Sequence, residues 1–192
     1  MTQATFYFDL GSPYAYLAAE RVDELLGASL AWQPVSLGAL FKLAGRSSWS
    51  LGDPERRRSG IAEVERRARR YGLPALRWPD PWPGNYLTAM RAATYAQQLG
   101  RAREFSICAF RGAFARAQDL SLPERVLEAA SEAGLDAVEV QAAIAEPEVK
   151  LALRRATDAA HELGVFGVPT VAIGGRLFWG EDRLAEAAAY LA

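Results

Sequence analysis

The sequence predicts an α/β protein whose strands lie at the two ends of the chain and whose long middle is helical. Three observations predict this. Thr5 to Leu10 is a run rich in aromatic residues, as in a strand of a covered sheet, and Gly11-Ser12-Pro13 turns it into a helix. Near the other end, Thr170 to Ile173 and Arg176 to Trp179 flank Gly174-Gly175, a hairpin pattern. Between them the hydrophobic spacing and the caps are those of helices. With 192 residues, 51% of them hydrophobic, the chain can build a sizeable core.

The elements follow in order. Ser12 suits an N-cap and Pro13 the first helical position, where its missing N–H costs nothing. The spacing predicts one helix from there to about Leu26, closed by Gly27. Ser29 to Val35 is the second predicted strand, with Pro34 near its end. Leu37 to Leu43 begins a helical piece, and Gly45 to Gly52 is a loop. Asp53-Pro54 opens a helix to about Tyr71 that carries seven arginines, 56, 57, 58, 66, 67, 69 and 70. These form either a phosphate-binding face or a solvated face with Glu63 and Glu65 pairing Arg67 and Arg69; the second is the simpler reading.

A stiff connection follows, with Trp78 and Trp82 set among prolines; it is either one wall of an aromatic pocket or a hydrophobic plug. Asn85 can cap a helix from Tyr86 to Leu99, and Arg101 to about Ala117 forms the next. Ser121-Leu122-Pro123-Glu124 reads as a capping box, and Asp136 as a further N-cap. Pro147 starts a long helix to Leu163, and a last helix ends at Leu191. The expected division is a discontinuous unit of residues 1–36 and 148–192 around a helical insertion of residues 37–147.

Composition excludes several chemistries. A net charge of -1 gives no bulk attraction to nucleic acid. The one cysteine, Cys108, permits no internal disulfide, and the one histidine, His161, permits no multi-histidine metal site. Cys108 lies mid-helix among phenylalanines and reads as a buried structural residue. No stretch approaches the ~20 apolar residues of a membrane span, and no signal peptide is expected, so a cytoplasmic protein is the expectation. Ser12 sits where free N–H groups and the positive end of a helix converge, a place that favours an anion.

Phe8-Asp9-Leu10-Gly11-Ser12-Pro13-Tyr14, Phe166-Gly167-Val168-Pro169-Thr170 and Phe178-Trp179-Gly180-Glu181-Asp182-Arg183-Leu184 together resemble the glutathione-dependent branch of the disulfide-oxidoreductase superfamily. The likeness is to 2-hydroxychromene-2-carboxylate isomerases and kappa-class glutathione transferases. It implies a thioredoxin-like domain with an inserted all-α domain of the DsbA/kappa type, a cis peptide before Pro169, and a homodimer. Redox members carry Cys-x-x-Cys where this chain has Ser12-Pro13-Tyr14-Ala15, so dithiol chemistry is excluded by composition. Ser12 is then an N-cap, a donor to a ligand's thiolate, or both. A nucleophilic serine lacks a base, since no Ser-His-Asp spacing involves His161.

The resemblance implies glutathione as cofactor. Its backbone would lie against Val168 beside Pro169, and its γ-glutamyl end near Glu181 and Asp182. Arg46 stands where the family has asparagine, and is placed to pair a ligand carboxylate. For a small aromatic carboxylate substrate, Tyr14, Phe41 and Trp82 are the implied aromatic wall, and Asn85 and Arg91 the polar contacts. The implied reaction is a glutathione-dependent cis–trans isomerisation in aromatic catabolism. The alternatives are a kappa-like transferase or peroxidase, and a redox-inactive binding module.

Overall fold

The computed structural model describes residues 4–27 and 29–191. One four-stranded sheet, in the order β2-β1-β3-β4, draws its strands from both ends of the chain. β1 (Ala4–Phe8) pairs in parallel with β2 (Ala31–Pro34) and antiparallel with β3 (Thr170–Ile173), which pairs antiparallel with β4 (Arg176–Trp179). This is the strand–helix–strand and hairpin pair expected of the two sequence ends. Pro34 ends an edge strand, where its missing donor breaks no ladder. Phe6 and Phe8 are fully buried and stack, and Trp32 meets them edge-on at 4.9 and 5.5 Å. Such contacts add about 0.5–1.5 kcal/mol per pair beyond burial.

The expected first helix is two. α1 (Pro13–Ala19) stops, and α2 (Val22–Leu26) follows. At the break, distant partners hold the side chains: Glu20 receives both prongs of Arg111 at 2.8 Å, and Arg21 reaches Glu181 at 3.3 Å. Helical periodicity continues across these residues, so local pattern alone did not show the break.

Seven further helices lie between β2 and β3: α3 (Leu37–Leu43), α4 (Pro54–Arg70), α5 (Leu87–Gln98), α6 (Ala102–Arg116), α7 (Pro123–Glu132), α8 (Ala137–Ala145) and α9 (Pro147–Glu162), all among the described residues. Phe105, Phe110 and Phe114 of α6 are fully buried; Phe110 meets Phe8 of the sheet, and Phe110 and Phe114 pack on Tyr16 of α1. α10 (Leu184–Leu191) closes the chain.

Two caps differ from expectation. Tyr86, not Asn85, takes the N-cap position of α5; Asn85 is one residue earlier, and its Oδ1 accepts from Leu87 N–H at 3.2 Å. Ser121 forms no capping box; its hydroxyl donates to Asp119 at 2.7 Å, and Leu122 occupies the cap position. An acceptor two residues upstream is closer than the helix end, and it takes the hydroxyl. Asp136 caps as expected, accepting from Val138 and Glu139. Cys108 is half-buried rather than buried, and its surroundings push the thiol up in pKa, chiefly by desolvation.

Candidate active site

The chain from β1 to α1 builds the centre. Asp9 carbonyl accepts Ser12 N–H at 3.0 Å, and Asp9 Oδ1 accepts Gly11 N–H at 2.8 Å, which fixes the turn. Ser12 then caps α1, its Oγ accepting from Ala15 N–H at 3.2 Å. With its lone pair so engaged, the hydroxyl proton is directed elsewhere. No acceptor for the Tyr14 N–H is seen among the described residues. Gly11 is required sterically: a Cβ there would lie 2.7 Å from the Tyr86 ring.

A cleft runs over this turn as two adjoining chambers. The outer one, about 520 Å³, is lined by Ser12, Tyr14, Trp49, Trp82, Val168 and Pro169, with Arg67, Glu181, Asp182 and Arg183 on one side. The Val168–Pro169 peptide is cis, and neither backbone polar group of Val168 has a partner among the described residues. The inner chamber, about 400 Å³, is lined by Asp9, Phe41, Ser50, Asn85, Tyr86 and Met90 among others, and opens to solvent past the exposed Leu51, Asn85 and Leu87. Gly11, Leu37, Phe41, Ser48 and Ser50 face both.

The outer chamber's charges are organised across the whole chain. Glu181, whose side chain is wholly buried, pairs with Arg21 at 3.3 Å and with Arg67. Arg67 also pairs with Glu63 at 2.6 Å and lies 3.6 Å from Asp182. Arg21 stacks 3.6 Å over the Tyr71 ring. Each Glu181 carboxylate oxygen is thus held by one arginine at a wholly buried position, while the residue still lines the chamber. Asp182 is different: its side chain is 58% exposed, and its pairing with Arg67 is long.

The structure brings together Ser12, Tyr14, Trp82, Val168, Pro169 and Asp182 in one chamber, with Phe41 at the junction. Asn85 lines the inner chamber only. Arg91 lines neither, so it is not a substrate contact in this arrangement. Arg46 is exposed and lies beyond the chamber wall, its guanidinium 4.8 Å from the Phe166 ring centre and 5.5 Å from that of Trp179. Trp179 itself lines the outer chamber, so Arg46 stands at the rim.

Sequence reasoning missed Trp49 and Arg67. Trp49 links Tyr14 at 6.3 Å and Trp82 at 5.4 Å into the aromatic wall, and Trp78 continues it at 4.6 Å from Trp82. A large aromatic alone in a loop of serines and glycines was the available signal. Arg67 was read as part of a solvated face, but Arg67 and Arg57 both turn inwards, Arg57 donating to the Trp82 carbonyl. Glu65, expected to pair with Arg69, instead accepts from Trp78 Nε1 at 2.9 Å.

Comparison with known proteins gives consistent findings. A family model described as a DSBA-like thioredoxin domain matches residues 3–192. The chain is 28% identical over 190 residues to a 2-hydroxychromene-2-carboxylate isomerase of Sphingobium xenophagum, covering 97% of this chain and 96% of that one. It is 29% identical over 203 residues to glutathione S-transferase kappa 1 of Homo sapiens, covering 93% and 85%. A solved structure of a 2-hydroxychromene-2-carboxylate isomerase matches its fold with a TM-score of 0.83 at 23% identity, over 98% of this chain and 93% of that one.

Proposed function

Because the chain belongs to the DSBA-like thioredoxin domain family and lacks that fold's cysteine pair, we propose that its outer chamber binds glutathione and that the protein is a glutathione-dependent cis–trans isomerase. The substrate class is an aromatic-catabolism intermediate of the kind named for the relatives, 2-hydroxychromene-2-carboxylate. The observation that carries this reading is the convergence, in one cavity, of the Ser12 hydroxyl, the unpartnered Val168 backbone and the exposed Asp182 carboxylate.

These residues fit glutathione group by group. Val168 offers a free N–H and C=O for strand-like pairing with a peptide backbone. Asp182 suits an α-ammonium, and Arg46 at the rim suits a terminal carboxylate. Ser12 O–H and Tyr14 N–H are two donors for the sulfur.

Glutathione, when bound, supplies a thiolate that adds reversibly to a conjugated carbon, so that the former double bond can rotate before elimination. The chain's part is to make that thiolate available and hold the ring. A free thiol of pKa about 8.5 is only a few per cent ionised at neutral pH. Hydrogen bonds to the charged form lower its pKa, and Ser12 and Tyr14 provide them. Trp49, Trp82 and Tyr14, packed edge-on and tilted against one another, form an apolar wall that orients an aromatic ring and excludes water. A second reading, a kappa-like transferase, uses the same chamber, and the similarity to the human kappa enzyme favours it equally.

The test is a thermal-shift titration with reduced glutathione and S-methyl glutathione, on the wild type and Ser12→Ala. Reduced glutathione at 100 times its dissociation constant should stabilise by about 2.7 kcal/mol. The shift should shrink for the capped thiol and for the variant. No shift at millimolar glutathione would sink the assignment.

A further inference from the structure

The aromatic wall of the outer chamber is gripped from behind by one side of α4, and one of the grips carries a cost that packing alone does not require. Between α4 and α5 the chain forms no helix or strand, yet Trp78 and Trp82 of this stretch stand in the wall beside Trp49. Each of the three tryptophans meets a different α4 residue. Trp82 offers its carbonyl to Arg57, Trp49 lies so close to Gly60 that a Cβ there would overlap the ring, and Trp78 Nε1 donates to Glu65 at 2.9 Å. Positions 57, 60 and 65 share the inward side of the helix with the buried Val64 and Ala68.

Arg57 is the costly grip. Arg56 and Arg58 are exposed, and Arg66 and Arg67 pair with Glu63. Arg57 is half-buried and makes no ion pair among the described residues, and its Nε is buried with no acceptor. A desolvated cation with an unmet donor lowers stability. The side-chain hydrogen bond it does make goes to the residue whose ring lines the outer chamber, and its guanidinium lies 5.8 Å from that ring's centre. The same ring directs its Nε1 to the Gly11 carbonyl at 3.4 Å, one residue before Ser12. Trp82 is thus tied at its backbone to α4 and at its ring edge to the Ser12 turn.

Resting on the reading that an aromatic electrophile reacts against this wall, we infer that Arg57 is a positioning residue for it, acting through Trp82. Arg57 holds the backbone that sets the ring, and the ring sets where an aromatic substrate lies relative to Ser12. A displacement of about 1 Å in such a place is enough to slow a reaction strongly. The thiol ligand is held by other groups: none of the bonds of Ser12, Val168 or Asp182 involves Arg57.

Two variants of the full chain test this. Arg57→Met keeps the stem and removes the donors, and Arg57→Lys restores the charge and a donor. Near-UV circular dichroism reads the optical coupling of indoles 4.6 and 5.4 Å apart and needs no ligand. Arg57→Met should lose at least about half of that tryptophan signal with its far-UV spectrum unchanged. Its kcat/KM for 2-hydroxychromene-2-carboxylate should fall at least about tenfold, while its dissociation constant for glutathione, by calorimetry, stays within about twofold. Arg57→Lys should recover most of both losses. An unchanged near-UV spectrum, or a lysine variant no better than the methionine one, would overturn the inference. So would a methionine variant that does not fold, or whose glutathione affinity falls in step with kcat/KM, since either makes Arg57 structural. Wild-type turnover that Arg57→Met leaves intact would sink the inference alone. A wild type with neither glutathione binding nor turnover would sink the parent reading and the substrate role of Arg57 with it.

Discussion

The two chambers of the cleft meet at Gly11 yet are held in opposite ways. The outer one is walled by charges from distant parts of the chain: Glu181 is paired 160 residues back to Arg21 and 114 residues back to Arg67. The inner one carries a single acid, and backbone N–H groups hold it. In the outer chamber Glu181 and Arg67 are tightly paired, whereas Asp182 is largely exposed and lies 3.6 Å from Arg67. In the inner chamber nothing cationic is left over.

The strongest way to break this contrast is Glu181→Gln. It leaves Arg21 and Arg67 facing a neutral amide at a wholly buried position. Losing one partner of a buried pair typically costs 3–5 kcal/mol; because the arginines keep 22% and 27% of their side-chain exposure, the expected loss is about 3 kcal/mol. Urea denaturation checks it, and a loss under about 0.5 kcal/mol would mean the network holds nothing together. Ser12→Ala comes next. Removing a donor from a developing or bound anion lowers kcat by about 100-fold, while the lost cap costs only about 1 kcal/mol of stability. Steady-state kinetics beside thermal melts separate the two effects.

Gly60→Ala attacks the aromatic wall from behind. The added Cβ would sit 2.3 Å from the Trp49 ring, so the ring must shift. A net destabilisation of about 2 kcal/mol is expected despite alanine's better helix propensity, and tryptophan fluorescence should report the displaced ring. A variant as stable as the wild type, with unchanged fluorescence, would show the wall to be loosely packed. Asp182→Asn sharpens the comparison from the other side. At an exposed position it should change stability by less than about 0.5 kcal/mol, yet weaken glutathione about tenfold through loss of a charge-assisted bond. Calorimetric titration decides.

The smallest effect concerns pH. The folded-state pKa of Asp9 is raised, so the folded chain binds that proton more readily than the unfolded chain does. Its contribution to stability is therefore full below the ordinary carboxyl value near 3.8 and is lost as pH rises through the raised value. Glu63 in the outer network is lowered by its bonds to Arg67 and then Arg66, and contributes in the opposite sense, losing stability as pH falls. Asp9→Asn should therefore make the loss of stability on acidification steeper than in the wild type. A parallel pair of stability–pH curves would show that Asp9 does not titrate with folding.

The comparison also shows what was legible in the sequence. Both motif-bearing ends could be read because each is local: a turn glycine, a capping serine and a first-turn proline specify their geometry within four residues. The hairpin at Gly174-Gly175 was equally local, and its strands fall where the pattern placed them. Ser12, Tyr14, Val168, Pro169 and Asp182 inherit their placement from these pieces. Residues that reach the site along long side chains or from loops were not legible. Arg67 looks the same in sequence as Arg66, which pairs with Glu63 on the helix surface, because α-helical spacing fixes the direction of a stem and not the partner at its end. Trp49, in a loop, had no periodicity to read.

The sequence alone therefore determined the fold class, the absence of dithiol chemistry and the identity of the central hydroxyl, since each depends on composition or on neighbours a few residues apart. Only the tertiary structure decided that Glu181 is held by two arginines and Asp182 is exposed, that α1 breaks before Arg21, that Arg91 lines neither chamber, and that the cleft has one chamber with both signs of charge and one with a single acid. Each of these rests on contacts between residues 91 to 160 positions apart or on the walls such contacts leave. Such contacts are set by how whole elements pack, and no local pattern encodes them.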